Sequence, residues 1–470
     1  MRKLVSIAFF LLFFISISFS QSNVVWKNFI GSAFLEPRGY DVIGKICDEI
    51  GPRMMGSANF DKAVALLKTE LQKDNLTAVE EKFNALSWYR GDDEVMMLQP
   101  AQRKLKITTV GYVHQHPKFH ANVAYVGGGS DEEIKRNDVK GKILLVAREG
   151  NSGKSGPSTR EIIHSAITYG AEAILFYNSE QPGFLAIARS GNFTGDTIRI
   201  PVFNMTYEEG LWLKRLCDEK KTVDLQVTTN SYCKQIQATN LVLTIPGKVK
   251  DKIVVGAHLD SWDLGQGAVD NGLGSAIIFD IARMIKKVNP LNYYTIEFVW
   301  FTGEEMGLIG SKNYVRMHKN DPIFAYVNFD MTGYPIGFNT MGFDEYQPFF
   351  ENLLNNLNGF DLRDGVKSNP GTGSDHVSFM LAGIPTLFVS GQLDEIMYKY
   401  YHESADTWDK INKKYISQTV AVSSIMLFEL ANAVEIKHRI HSEAEMIDML
   451  KSYKLDEQLK KTGEWIYKQQ

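Results

Sequence analysis

Six side chains able to bind a cation or move a proton fall in four short stretches of the C-terminal half: His258 and Asp260, then Asp270, then Glu304 and Glu305, then Asp330. Apolar runs that read as strands precede three of them, 253–255 before His258, 295–301 before Glu304 and 325–329 around Asp330. Asp270 follows a glycine-bearing loop and opens a helix predicted over 274–285. In open α/β sheets, ligands collect in the crevice outside the carboxyl ends of the strands, so these segments deliver acids and a histidine to one edge. Imidazole and carboxylate donors without cysteine suit a hydrolytic zinc site with an open coordination position. Two cations held close together need one carboxylate shared between them, and Asp270 is placed to supply it. The Glu304-Glu305 pair then offers one carboxylate to a metal and one to take a proton from water.

Each feature alone has a plainer explanation. A strand-end Asp is commonly a helix N-cap, and a Glu-Glu pair is usually solvated. His318, His438 and His441 lie in polar, helix-like segments and read as surface residues, and His114, His116, His120 and His164 carry no assigned role. The convergence of four segments is what argues for chemistry.

The elements that must position these groups follow the α/β alternation from 240 onwards, with a further strand at 384–389 and a long apolar helix at 416–434. Upstream, a helical pattern over 40–71 is interrupted by the turn at 51–57, where Ser57 is an N-cap for the second part; strands follow at 79–86 and 94–98. Between 105 and 235 short apolar runs alternate with glycine-rich turns, as at 123–126 before Gly127-Gly128-Gly129, with a helix at 159–169 and a strand at 171–176. That stretch lacks the clustered acids and reads as an inserted domain without catalytic groups.

The expected division is 1–20, 21–104, 105–235 and 236–470. The first piece has the layout of a secretory signal peptide: a basic start at Arg2-Lys3, an apolar run from 4 to 17, and small residues up to a cut near Ser20. It falls short of a membrane span, so the mature protein is expected to be exported, whether to the medium, a periplasm or a lysosome, and free of the membrane. The 470 residues are 44% hydrophobic and 23% charged with net charge -4, which supports neither disorder nor binding to nucleic acid or acidic membrane surfaces. Cys47, Cys217 and Cys233 read as structural; the last two are the nearest pair should a disulfide form. Asn75, Asn192 and Asn204 open N-glycosylation sequons.

The stretch His258-Leu259-Asp260-Ser261-Trp262-Asp263-Leu264-Gly265-Gln266-Gly267-Ala268-Val269-Asp270-Asn271-Gly272 resembles the co-catalytic dizinc exopeptidases, the group of bacterial leucyl aminopeptidases and glutamate carboxypeptidases. Gly51-Pro52-Arg53 and Gly56-Ser57 share the likeness, which covers nearly all of the mature chain, and the insert looks like a protease-associated domain. The resemblance implies an α/β zinc-exopeptidase fold, phosphorylase/hydrolase-like, three-layered around a mixed sheet. It implies two Zn2+ per chain: His258 and Asp330 on one, Glu305 and His402 on the other, Asp270 between them, with Glu304 as the general base. Asp260 would accept a hydrogen bond from His258, and Asp375, in Gly373-Ser374-Asp375-His376, would support the site. His376 competes with His402 as last ligand; the segment Tyr401-His402-Glu403-Ser404-Ala405-Asp406-Thr407 resembles the one that carries it. Tyr401 is a candidate donor to the oxyanion. The expected activity is that of a carboxypeptidase or dipeptidase on short peptides, with an aminopeptidase as the alternative, and the resemblance allows a homodimer.

Overall fold

The strands of the C-terminal half bury both faces, and their side chains divide by alternation. Ile253, Val255 and Ala257 enter one core with Ile296, Phe298 and Trp300, while Val254 enters another with Val299, Phe301, Tyr326 and Phe379. The computed structural model describes residues 24–148, 156–187 and 196–468. The segment 1–20, expected as a signal peptide, and Asn192 lie outside the described residues.

One eight-stranded sheet runs in the order Val79–Tyr89, Tyr232–Ile245, Thr295–Phe301, Lys252–His258, Ile323–Asn328, Thr386–Gln392, Tyr334–Asn339, Gly365–Lys367. Its middle, from Thr295–Phe301 to Thr386–Gln392, is parallel, and antiparallel pairings flank it. Helices Gly39–Lys45, Leu273–Val288 and Lys413–Leu430 pack together on one side, and Ile309–Met317 with His376–Leu381 on the other, which gives the three layers. Ser57 caps the helix Ala58–Gln72 by accepting from Phe60 N at 3.1 Å. Among the described residues no helix is long and apolar enough to cross a membrane.

A second eight-stranded sheet holds the insert, with Ile143–Arg148, Ala173–Asn178 and Val202–Met205 parallel at its centre. Strands Glu94–Gln99 and Arg103–Lys104 hydrogen-bond into this sheet, so the insert starts by residue 94 rather than 105. It ends before Tyr232, where the chain rejoins the first sheet, rather than at 235. The strands at 94–99 and 103–104 gain their sheet through Asp224–Thr229, a pairing partner more than a hundred residues away. The chain leaves the first sheet at Tyr89 and returns directly opposite at Tyr232, the two rings stacked 5.1 Å apart. One hydrophobic cluster joins both units: Leu144, Val146, Ile174 and Phe176 of the insert pack with Met54, Met55, Trp262 and Met306.

All three cysteines are free thiols; Cys217 and Cys233 lie in different clusters. Asn75 is exposed, but Asn204 is buried in Val202–Met205 with its amide on Ala186 O at 3.2 Å, which closes that sequon to a glycan. The histidines read as surface residues are instead tie points. His318 Nε2 lies 3.0 Å from Glu81, His438 Nδ1 3.2 Å from Asp251, and His441 Nε2 2.6 Å from Glu345.

Candidate active site

His258 ends the strand Lys252–His258, and its Nδ1 faces the carbonyl oxygen of Asp260 at 3.1 Å. The Asp260 carboxylate, expected to take that bond, stands farther off at 3.6 Å and accepts from Glu304 N at 3.2 Å instead. Two residues on, a side chain and its own backbone compete for the same imidazole, and the carbonyl is nearer. A proton on Nδ1 leaves the Nε2 lone pair free to face the crevice.

The chain from His258 to Asp270 wraps around Arg53, whose fully buried guanidinium donates to the carbonyls of Leu259 (2.5 Å), Gln266 (2.5 Å) and Gly267 (2.8 Å). Asp270 does not open the helix. It sits at φ -112°, ψ 95° in the turn Ala268–Gly272, and the helix Leu273–Val288 begins three residues later. Asp406 fixes this turn by accepting from Val269 N (2.8 Å) and Asp270 N (3.0 Å). The Asn271 amide spans to the next strand end, donating to Phe329 O (2.9 Å) and accepting from Met331 N (3.2 Å), so Asp270 and Asp330 are held by one side chain. Helix and loop approach so closely that a Cβ on Gly274 would stand 2.1 Å from Phe329 O; only glycine fits.

The donors meet in two groups that share Asp270: His258, Asp270 and Asp330, and Asp270, Glu305 and His402, with ligand atoms inside each group within 4.8 Å of one another. Asp270 Oδ1 lies 3.2 Å from His258 Nε2 and its Oδ2 lies 3.0 Å from His402 Nε2. Asp330 Oδ1 is 3.6 Å from His258 Nε2, and Glu305 Oε2 is 3.6 Å from His402 Nε2. Despite these short separations, His258 Nε2 and Asp330 Oδ1 are buried and have no hydrogen-bond partner. Their lone pairs converge without a hydrogen aligned between them. Glu304 belongs to neither group, its Oε2 4.0 Å from His258 Nε2. Trp262 Nε1 donates to Glu305 Oε2 at 2.7 Å, and the Tyr401 ring stacks on His402 at 3.6 Å. His402 itself adopts φ 60°, a left-handed conformation uncommon for a side chain of this size. His376 turns away to Gly371 O at 2.9 Å and joins neither group.

So many acids in one buried place set the electrostatics. Burial raises Glu304 well above the carboxylate range, and Asp330, Asp375 and Asp270 add to it. Glu305 is raised likewise by burial, then by Asp270 and Glu304. Burial opposes charge on His258, yet Glu304 and Asp330, with Asp260 and Asp270, hold its imidazole well above the usual value. Burial would also raise Asp270, but the two imidazoles beside it bring it below its ordinary range. Asp375 is pushed up to about 7, chiefly by burial, and burial brings His376 down to about 4. This is a surplus of negative charge that a cation relieves.

Residues 240–426 match the family model described as Peptidase family M28, and 112–213 match the PA domain. The chain carries a peptidase family M28 domain over residues 240–426. It is therefore a hydrolase with an inserted protease-associated domain. It is 27% identical to carboxypeptidase Q of Mus musculus over 417 residues, 86% of this chain and 87% of the relative. It is 26% identical to aminopeptidase YwaD of Bacillus subtilis over 84% of this chain and 85% of that protein. The M28 fold is shared with a peptidase M28 precursor from Shewanella amazonensis, at TM-score 0.75 and 22% identity over 90% of this chain and 99% of that one. It is shared too with BSAP, a zinc aminopeptidase from Bacillus subtilis, at TM-score 0.68 and 23% identity over 84% and 94%.

Within this M28 site, sequence reasoning gave no role to Arg53, Trp262, Asn271 or Asp406. All lie inside segments that carried the family resemblance, and each acts on atoms of a different segment: carbonyls, amides or the Glu305 carboxylate. No spacing rule marks such a residue. At Arg53 and Asn271 the signal present was a charged or amide side chain standing in an otherwise apolar or glycine-rich stretch.

Proposed function

We propose that the protein is a zinc-dependent exopeptidase, a carboxypeptidase or dipeptidase, that hydrolyses dipeptides or short peptides. The shared Asp270 carries this reading, with one oxygen 3.2 Å from His258 and the other 3.0 Å from His402. Buried donors such as His258 Nε2 and Asp330 Oδ1 are costly without a partner, and a cation satisfies both. Nitrogen and carboxylate donors without thiolate fit zinc. In this reading His258 and Asp330 would hold one zinc ion and Glu305 and His402 a second, with Asp270 available to both.

Zinc, when bound, supplies Lewis acidity that lowers the pKa of a water and polarises the scissile carbonyl. Glu304 takes a proton from the attacking water as its oxygen bonds to the carbonyl carbon. It returns that proton to the amine nitrogen as the C–N bond breaks. Asp260 orients Glu304 through the backbone N–H it accepts, and the Tyr401 hydroxyl donates to the oxyanion. Asp375 supports the site from behind without binding the metal. The basic start and the apolar run 4–17 support export as part of the same proposal.

The likeness to aminopeptidase YwaD favours a second reading, release of N-terminal residues by the same donor set. Unblocked, N-blocked and C-blocked dipeptides, assayed with and without added zinc, separate the two. Carboxypeptidase action predicts cleavage of the N-blocked substrate, a strict dipeptidase cleaves only the unblocked one, and cleavage of the C-blocked but not the N-blocked substrate would reverse the assignment.

A further inference from the structure

The two halves of the donor set are supported differently. His258 and Asp330 stand at ends of strands in the first sheet, and Asn271 locks the loop of one to the other. The other half leans on the insert. Ile187 N donates to His402 O at 3.0 Å, and Leu185 N donates to Glu403 Oε1 at 3.1 Å, so residues 184–187 form a strap across the His402 segment. The strap is anchored in the insert by Ala186 O, which accepts from Thr108 Oγ1 and from Asn204 Nδ2. It is anchored outside it by Arg90, which reaches Ile187 O at 3.4 Å while pairing with Asp263 at 2.7 Å. Phe184, Ala186 and Ile187 are buried, and Ile187 packs in the same cluster as Trp262, the residue that holds Glu305. The crevice at this point is lined by Ile187, Trp262, Asp270, Glu305, His402 and Glu403 together. His402 keeps its left-handed backbone at φ 60° under the strap, a conformation that persists only where its surroundings impose it.

We infer that Glu403 and the 184–187 strap are positioning elements through which the inserted domain sets the affinity of the Asp270–Glu305–His402 metal site, leaving the His258–Asp270–Asp330 site independent of the insert. The inference rests on the two-metal reading. Glu403 acts by gripping the Leu185 amide, which seats Ile187 against the His402 carbonyl and so fixes where Nε2 points. The insert is thereby part of the metal centre without contributing a ligand.

Full-length chain stripped with a chelator and titrated with zinc against a chromophoric competitor tests this. The unaltered chain takes up two equivalents. Glu403→Ala weakens the second step about tenfold and leaves the first unchanged, with an unaltered thermal midpoint for the metal-free chain. Glu403→Gln keeps an acceptor for Leu185 N and stays within about threefold of the original. Thr108→Val, in the insert and remote from either metal, weakens the second step in the same direction by about threefold. Saturating zinc restores turnover in each variant, which a loosened fold would not allow. A second step unchanged in Glu403→Ala, or both steps weakened alike, overturns the inference. One equivalent in the unaltered chain overturns the two-metal reading itself, before any variant is compared, and the inference with it.

Discussion

Glu304 differs from the five grouped donors in what surrounds it. It stands outside both groups, 4.0 Å from His258 Nε2, with its backbone pinned to Asp260. On the proposed reading its replacement would remove a proton carrier and no ligand. Glu304→Gln is expected to lower kcat by about a thousandfold while zinc content stays at the original value. Tyr401→Phe, measured beside it, is expected to lower kcat by about a hundredfold with KM little changed. Near-normal turnover in either variant removes that residue's role. Asp270 and Asp260 form a second contrast. Asp270 faces both imidazoles, whereas Asp260 touches His258 through a carbonyl that survives truncation of the side chain. Asp270→Ala should lose both zinc equivalents and Asp260→Ala at most a fraction of one, by elemental analysis after dialysis; equal losses would contradict the division.

The helix Leu273–Val288, which starts just behind Asp270, is tied at its middle to the N-terminal region. Asp280 accepts from Gly39 N at 2.7 Å and pairs with Arg283 at 2.5 Å, Arg283 reaches Asp74 at 3.0 Å, and Arg38 bridges Asp74 and Glu70. Glu70 ends this network, buried among Arg38, Lys45 and Lys73. Burial works against its ionisation, but hydrogen bonds from Lys73, Lys45 and Arg38 outweigh it and lower the carboxyl from 4.5 to about 2. A carboxyl lowered on folding contributes stability that is complete above its unfolded value and disappears as pH falls toward the folded one. Denaturant unfolding should therefore show stability falling from about pH 4.5 to about pH 2, with Glu70→Gln less stable at neutral pH by about 2 kcal/mol and its slope in that window reduced. An unchanged slope would remove Glu70 as a source of acid sensitivity. Elements of this kind were legible where the signal was local. Ser57 announced its helix, and the apolar runs before His258 and Glu304 announced their strands. The Asp270 turn was not, because Asp406 shapes it from 136 residues away in sequence.

For the whole molecule, strand ends delivering acids to one edge were readable from order alone, since a parallel α/β sheet puts its strand C-termini on one side. Sheet membership was not. Glu94–Gln99 and Arg103–Lys104 are short and carry no mark of the sheet they join; the pairing of Glu94–Gln99 with Asp224–Thr229, and of Arg103–Lys104 with Glu94–Gln99, assigns them to the insert. The shared cluster of Met54, Trp262 and Met306 with Leu144 and Phe176 was equally invisible, because apolar side chains carry no mark of which layer they join. That cluster and the strap together explain why an insert that adds no residue to either donor group stands against the catalytic edge rather than apart from it.

The neck where Tyr89 faces Tyr232 makes the insert, topologically, the turn of a β-hairpin. Closing a flexible turn of residues 90–231, about 140 of them, costs about 4 kcal/mol in chain entropy. The insert has apolar contacts of its own to gather, in the cluster of Leu145, Leu175, Phe203 and Leu225, and once they form, the two ends of the turn are already adjacent. Folding then has an order: the insert first, the outer strand pair of the peptidase sheet afterwards. Pulse-labelled hydrogen exchange during refolding should protect the amides of Ile143–Arg148 and Ala173–Asn178 before those of Val79–Tyr89, and simultaneous protection would exclude the sequence. A domain that adds nothing to either donor group is thus expected to be the part of the chain finished before the peptidase sheet closes its edge.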